Sequence, residues 1–81
     1  MIKVAVCGAN GKMGKEVVNA VNNAEDMELV AKIDIFEGEF TTIEEAHNSK
    51  ENDVLIDFTQ PNSIYNNAKY CLSNKINIVI G

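Results

Sequence analysis

Proline is almost absent from these 81 residues, with Pro61 standing alone, and histidine occurs once, at His47. The shortage of proline, set beside an apolar share of 46%, excludes a disordered chain. The two cysteines, Cys7 and Cys71, lie far apart, with no CxxC and no metal-ligand spacing, so neither a disulfide framework nor a metal site is expected. Both are expected as reduced core residues. Basic residues are scarce too, seven against twelve acidic ones, for a net charge of −5. That sign excludes nucleic acid and anionic membrane as partners. It leaves room for a phosphate-bearing cofactor in a local pocket of opposite character. No apolar run approaches the ~18–20 residues of a membrane span. The apolar stretch Met1–Cys7 is short, is interrupted by Lys3 and runs directly into a glycine-rich loop, so it is not a signal peptide. A cytoplasmic location is therefore expected. A chain of this length forms one small domain that buries only roughly 60–65% of its unfolded surface.

The pattern that remains is strand and helix in alternation. Ile2–Cys7 is short, β-branched and stopped by Gly8, which predicts a first strand. A helix is predicted from Gly11 to about Asn22, with Met13, Val17, Val18 and Val21 as its apolar stripe. Glu28–Asp34 predicts a second strand and Phe36–Phe40 a loop. Thr42 and Glu45 fit a capping box at the head of a short helix that ends near Asn48–Ser49. Asp53–Asp57 predicts a third strand. Thr59–Asn62, with Pro61 near the first helical position, starts a further helix. Its stripe is Ile64, Tyr65, Ala68, Cys71 and Leu72. Asn77–Ile80 closes the series as a fourth strand, stopped by Gly81. This βαβαβαβ order predicts an α/β fold, a Rossmann-type parallel sheet covered on both faces. Right-handed crossovers suggest the strand order 3-2-1-4, incomplete on its C-terminal side, with a bare edge at the fourth strand.

The chemistry concentrates in two stretches. Gly8-Ala9-Asn10-Gly11-Lys12-Met13-Gly14 is a GxxGxxG between the first strand and the first helix. Gly8 turns the chain sharply, Gly11 admits a pyrophosphate close to the backbone, and Gly14 lets the helix pack on the strand. The helix N-terminus then offers unpaired N–H groups and a partial positive charge. Dinucleotide binding is the reading this context favours over a bare turn. Asp34 ends the second strand, where a carboxylate accepts hydrogen bonds from the adenosine ribose and repels a 2′-phosphate. NAD(H) is therefore favoured. Lys12 in the loop leaves NADP(H) open. Asp57-Phe58-Thr59-Gln60-Pro61 lies at the carboxyl end of the third strand, where ligands bind in open α/β sheets. Phe58 is expected against the cofactor and Thr59 in hydrogen bond with it, with Gly81 on the same rim.

The stretches GANGKMG, DVLIDFTQP and INIVIG together resemble the nucleotide-binding domain of the dihydrodipicolinate reductase family, over residues 2 to 81. The family pattern runs GAxGrMG, DvxIDFT-x-P and a strand ending v-IGTTG. The resemblance implies reduction of hydroxy-tetrahydrodipicolinate to tetrahydrodipicolinate with NADH or NADPH, on the diaminopimelate and lysine route. It implies that Gly8, Asn10, Gly11, Lys12, Met13 and Gly14 hold the pyrophosphate and adenosine half. Asp34 would hold the ribose, and Phe58, Thr59 and Gly81 would lie near the nicotinamide half. The family's Glu-x-His-His-x-x-Lys run and the TTG after Gly81 are absent here, and His47 is expected as a surface residue. Residues 1–81 are thus expected to be a partial cofactor domain without the catalytic domain, inactive alone. The resemblance implies a homotetramer for the parent enzyme, and the bare edge predicts self-association of this chain. Two alternatives stay open: the cofactor domain of another two-domain amino-acid dehydrogenase or imine reductase, and a non-catalytic dinucleotide-sensing module.

Overall fold

The computed structural model describes residues 1–81. Its elements are β1 (Ile2–Cys7), α1 (Lys12–Asn23), β2 (Met27–Ile33), α2 (Ile43–Ser49), β3 (Val54–Asp57), α3 (Pro61–Ser73) and β4 (Asn77–Ile80). All strand pairs are parallel, as the alternation of apolar strands and amphipathic helices requires.

The strand order is 2-1-3-4, not the expected 3-2-1-4. The reason lies in the chain that follows β2. The amides of Glu39 and Phe40 donate to the Lys32 carbonyl at 3.0 and 3.3 Å, and the Asp34 amide donates to the Phe40 carbonyl at 2.9 Å. A bridge between Ile33 and Phe40 completes this contact. The carboxyl end of the outer edge of β2 is thereby taken up locally, and β3 docks on the free side of β1 instead. β1 lies between β2 and β3, with Val4, Ala5 and Val6 buried.

A bulge in β2 divides the core. Val4 pairs with Leu29 but Ala5 with Ala31, so Val30 is an extra residue that shifts the register. Met27 and Leu29 pack with Val4, Val6, Val17, Val18 and Val21 on the α1 face. Past the bulge, Ala31 and Ile33 pack with Ala5, Cys7, Leu55, Ile43 and Cys71 beneath α2 and α3. Each fully buried large side chain here, such as Ile33 or Leu55, contributes about 1.5–3 kcal/mol.

The helices are held by local chemistry. Thr42 caps α2, its Oγ1 accepting from the Glu45 amide at 3.2 Å. The Glu45 carboxylate returns to the Thr41 hydroxyl at 2.7 Å and the Thr41 amide at 3.3 Å, one residue earlier than in the standard box. These bonds lower the Glu45 carboxyl below its ordinary range.

Three expected stripe residues lie in solvent. Met13 is 52% exposed because the first turn of α1 meets the loop backbone through Gly14, leaving its neighbour to the side. Tyr65 and Leu72 are 70% and 80% exposed. Each stands one residue, or about 100° of helix, past Ile64, which is half-buried, and Cys71, which packs in the core.

His47, expected on the surface, is half-buried. Its ring meets Tyr70 edge-on, with centroids 6.2 Å apart. Asn52 Nδ2 donates to the Val54 carbonyl, which turns Asn52 Oδ1 toward His47 Nδ1 at 2.8 Å. The cluster ties α2 to β3 and α3. Both cysteines are buried and unpaired, as expected. β4 is an edge strand that pairs only with β3 and leaves Val79 and Ile80 half exposed. No helix is long and apolar enough to cross a membrane.

Candidate functional site

β1 lies between β2 and β3, and the chain leaves β1 and β3 toward opposite faces of the sheet. This reversal opens a crevice at the carboxyl ends of the strands. A cavity of about 470 Å³ lies there, within the range of small-molecule sites. Its lining joins the glycine loop to the ends of β2 and β3 and to the first turns of α3.

The loop is shaped by its glycines in two different ways. Gly8 has φ of +77°, and a Cβ there would lie 3.1 Å from the Phe58 carbonyl oxygen. Its amide and that of Ala9 both donate to the Ile33 carbonyl, at 2.9 and 3.2 Å, which pins the loop to β2. Gly14 is needed for contact: a Cβ would lie 2.0 Å from the Gly8 carbonyl oxygen. Gly11 differs from both. It is the N-cap of α1 in extended conformation, offers no side-chain cap, and a Cβ there would meet only the Gly8 oxygen at 3.4 Å. The fold itself leaves room for a side chain at position 11. The leading amides of α1 have no acceptor within the helix and no capping oxygen beside them, and no acidic residue occupies the first turn. That arrangement favours an anion.

Asp34 sits just past β2 and lines the cavity. Its carboxylate is fixed by two backbone donors, the Asn10 amide on Oδ2 at 2.9 Å and the Phe36 amide on Oδ1 at 2.8 Å. The Asn10 side chain donates in turn to the Phe36 carbonyl. Carboxylate, loop and the 34–36 turn therefore form one hydrogen-bonded unit. Ile35 and Phe36, both exposed, flank it.

Of the residues singled out from the sequence, Gly8, Gly11, Asp34, Phe58 and Thr59 line this cavity. Asn10 stands beside it, in a smaller cleft with Lys15 and Lys32. Lys12 and Met13 are exposed on the first turn of α1, and Gly14 is buried beneath the loop. Gly81 is exposed, with the Phe58 ring against one side of it: a Cβ there would lie 2.0 Å from that ring. Thr59 does not cap α3, whose N-cap is Gln60. Its hydroxyl bonds to Asp57 instead, at 2.5 Å.

Asp57 and Asn67 were not singled out as site residues. Asp57 ends β3 fully buried, and Asn67 Nδ2 donates to its Oδ2 at 2.9 Å. The Asp-x-Thr spacing at a strand end is a turn signal that could have marked Asp57. Ser63, Asn66 and Asn67 recur at helical spacing as a polar stripe on α3, and all three line the cavity. Cys7 also lines it. Burial first, and then the nearby Asp57 charge, push its thiol up to about 12, against a hydrogen bond from Asn67. The thiol thus stays protonated at neutral pH and is no nucleophile.

A parallel sheet whose first strand feeds a glycine loop, whose first helix presents bare amides, and whose second strand ends in a fixed carboxylate defines a Rossmann-type nucleotide-binding domain. Residues 2–81 match the family model described as dihydrodipicolinate reductase, N-terminus, and the chain belongs to that family. It is similar to 4-hydroxy-tetrahydrodipicolinate reductases of Corynebacterium aurimucosum, with 44% identity over 99% of this chain, and Cutibacterium acnes, with 42% identity over 100%. It spans 30% of the length of each of these relatives. Among solved structures, it resembles a dipicolinate-bound dihydrodipicolinate reductase from Paenisporosarcina sp. TG-14, with a TM-score of 0.89 and 36% identity. That match covers 100% of this chain and 37% of the other.

Proposed function

We propose that residues 1–81 are the cofactor-binding part of a cytoplasmic NAD(P)H-dependent reductase. Its reaction converts hydroxy-tetrahydrodipicolinate to tetrahydrodipicolinate in diaminopimelate and lysine biosynthesis. Family membership supports the reaction, and the observation that carries cofactor binding is Gly11. Nothing in the fold demands glycine there, whereas a pyrophosphate brought against the bare amides of α1 does. Gly8, Asn10, Gly11, Lys12, Met13 and Gly14 form this cradle. Asp34 takes the adenosine ribose, with its carboxylate held ready by the Asn10 and Phe36 amides. Phe58, Thr59 and Gly81 border the nicotinamide half.

Bound there, the reduced nicotinamide supplies a hydride. The residues of this chain bind and orient it, while the proton donor and the substrate carboxylate clamp come from outside these 81 residues. NADH is the favoured form. A 2′-phosphate would approach the Asp34 carboxylate, and Ile35 and Phe36 offer it no cation. Calorimetric titrations with NADH and NADPH test this: NADH is expected to bind several-fold more tightly. Tighter NADPH binding would overturn the role of Asp34, and binding of neither would overturn the cofactor assignment.

A further inference from the structure

Resting on that cofactor reading, we propose that Asp57 and Asn67 are positioning residues that fix the polarity of the Thr59 hydroxyl, making it a hydrogen-bond acceptor selective for a donor group on the nicotinamide half of the cofactor. The polarity follows from counting donors. Asp57 is fully buried and no cation pairs with it, so its oxygens depend on hydrogen bonds. Oδ2 accepts from Asn67 Nδ2 at 2.9 Å, and Oδ1 accepts from the Thr59 amide at 2.9 Å. Both donors are nitrogens that can only donate, so both oxygens act as acceptors. The third contact, Thr59 Oγ1 to Asp57 Oδ1 at 2.5 Å, therefore takes the hydroxyl proton. Its length suits an O–H donor on a carboxylate.

With its single proton committed, the Thr59 hydroxyl keeps only lone pairs for an occupant of the cavity it lines. An amide N–H or a ribose O–H satisfies them, and a carbonyl oxygen is refused. Asn67 is placed for this role by α3. It shares a helical face with Ser63 and Asn66 along the cavity, and its amide also reaches Cys7 Sγ at 3.6 Å. The turn at residues 57–59 is thus held from α3 and β1 at once.

The test is calorimetric titration of this chain with NADH and with the reduced acetylpyridine analogue, whose methyl ketone replaces the carboxamide N–H donor. Thr59→Val is expected to weaken NADH binding about three- to tenfold, with Thr59→Ser recovering part of the loss. Asp57→Leu is expected to do the same, because it removes the acceptor of the Thr59 proton, whereas Asp57→Asn keeps an Oδ1 acceptor for Thr59 while its Nδ2 donates to a turned-over Asn67 amide, and is expected to bind nearly as the parent does. If the Thr59→Val penalty vanishes with the analogue, the donor is the carboxamide; if it persists, the donor is a ribose hydroxyl. Either result supports the proposal.

Parent-level NADH affinity in Thr59→Val overturns the proposal alone, as does parent-level affinity in Asp57→Leu. A parent chain that binds no NADH overturns the cofactor reading, and this proposal falls with it.

Discussion

Alanine at Gly14 and alanine at Gly11 should have opposite phenotypes, although the two positions are three residues apart in one loop. At Gly14 the added Cβ would lie 2.0 Å from the Gly8 carbonyl oxygen and 2.9 Å from Ala9 Cα. Both are backbone atoms and neither can swing aside. Overpacking of this kind costs about 1–3 kcal/mol or more, and a contact this short belongs at the upper end. Replacing a helical glycine returns about 1 kcal/mol. The net loss is therefore about 2 kcal/mol, or a fall in Tm of roughly 8–16 °C for a domain of this size. At Gly11 the Cβ meets only the Gly8 oxygen at 3.4 Å. The poorer N-cap costs about 0.5–1 kcal/mol, and the stiffer unfolded chain offsets about 0.4–1 kcal/mol. Stability should then stay within about 0.5 kcal/mol of the parent. Cofactor affinity should move the other way. A Cβ that pushes a pyrophosphate off the α1 amides forfeits at least one charge-assisted hydrogen bond, about 1.5–3 kcal/mol, or a tenfold loss or more. Thermal melts and NADH titrations on both variants read the two quantities separately. A Gly11→Ala chain that melts as early as Gly14→Ala, or binds NADH as the parent does, would refute the division of labour argued for the loop.

The remaining expectations concern pH, capping and association. Burial raises the Cys7 thiol to about 12 and the Cys71 thiol to about 11, each from an ordinary 9.0. The folded state thus holds these protons after the unfolded chain has released them. Stability should be intact below about pH 9 and fall as pH rises from there toward 12; Cys7→Ala should flatten that decline in alkaline melts. Glu45 has the opposite sign: its carboxyl is lowered by Thr41, so its contribution is present above the ordinary carboxylate range and lost as pH falls below it. Thr42→Ala removes the acceptor for the Glu45 amide and should cost about 1 kcal/mol, or roughly 4–8 °C in Tm. The edge strand β4 carries no lysine or proline to guard it. Sedimentation at rising concentration should reveal self-association that Val79→Lys suppresses.

The succession of elements was legible because each has a strong local signature. Apolar strands of four to seven residues, a Thr–Glu capping box and Pro61 at the head of α3 declare themselves without tertiary help. Strand order was not legible, because it depends on Glu39 and Phe40 returning to Lys32, a contact made by backbone atoms that leave no mark in side-chain pattern. The bulge at Val30 was hidden likewise: Met-Glu-Leu-Val-Ala-Lys-Ile reads as one strand, and its change of face emerges only from pairing with β1. Helical periodicity named the right stripes but overextended them at Met13, Tyr65 and Leu72, since apolar residues need no burial. At the candidate site, Gly8 and Gly14 were legible because the backbone itself requires glycine there, and Asp34 because it follows a strand that runs beside that loop. Asp57 was masked by its own strand, where an acidic residue in DVLID reads as a strand terminus, and Asn67 by its place on a helix. Their pairing exists only once α3 lies across the end of β3.

The most direct test of cofactor binding at the switch between β1 and β3 is an amide NMR titration of the chain with NADH. Shifts are expected to concentrate in Gly8–Gly14, at Asp34–Phe36, at Phe58–Thr59 and at Gly81, with Asn77 at the start of β4 and the outer face of α3 at Leu72 unmoved. Shifts confined to other surfaces, or none at millimolar NADH, would contradict it.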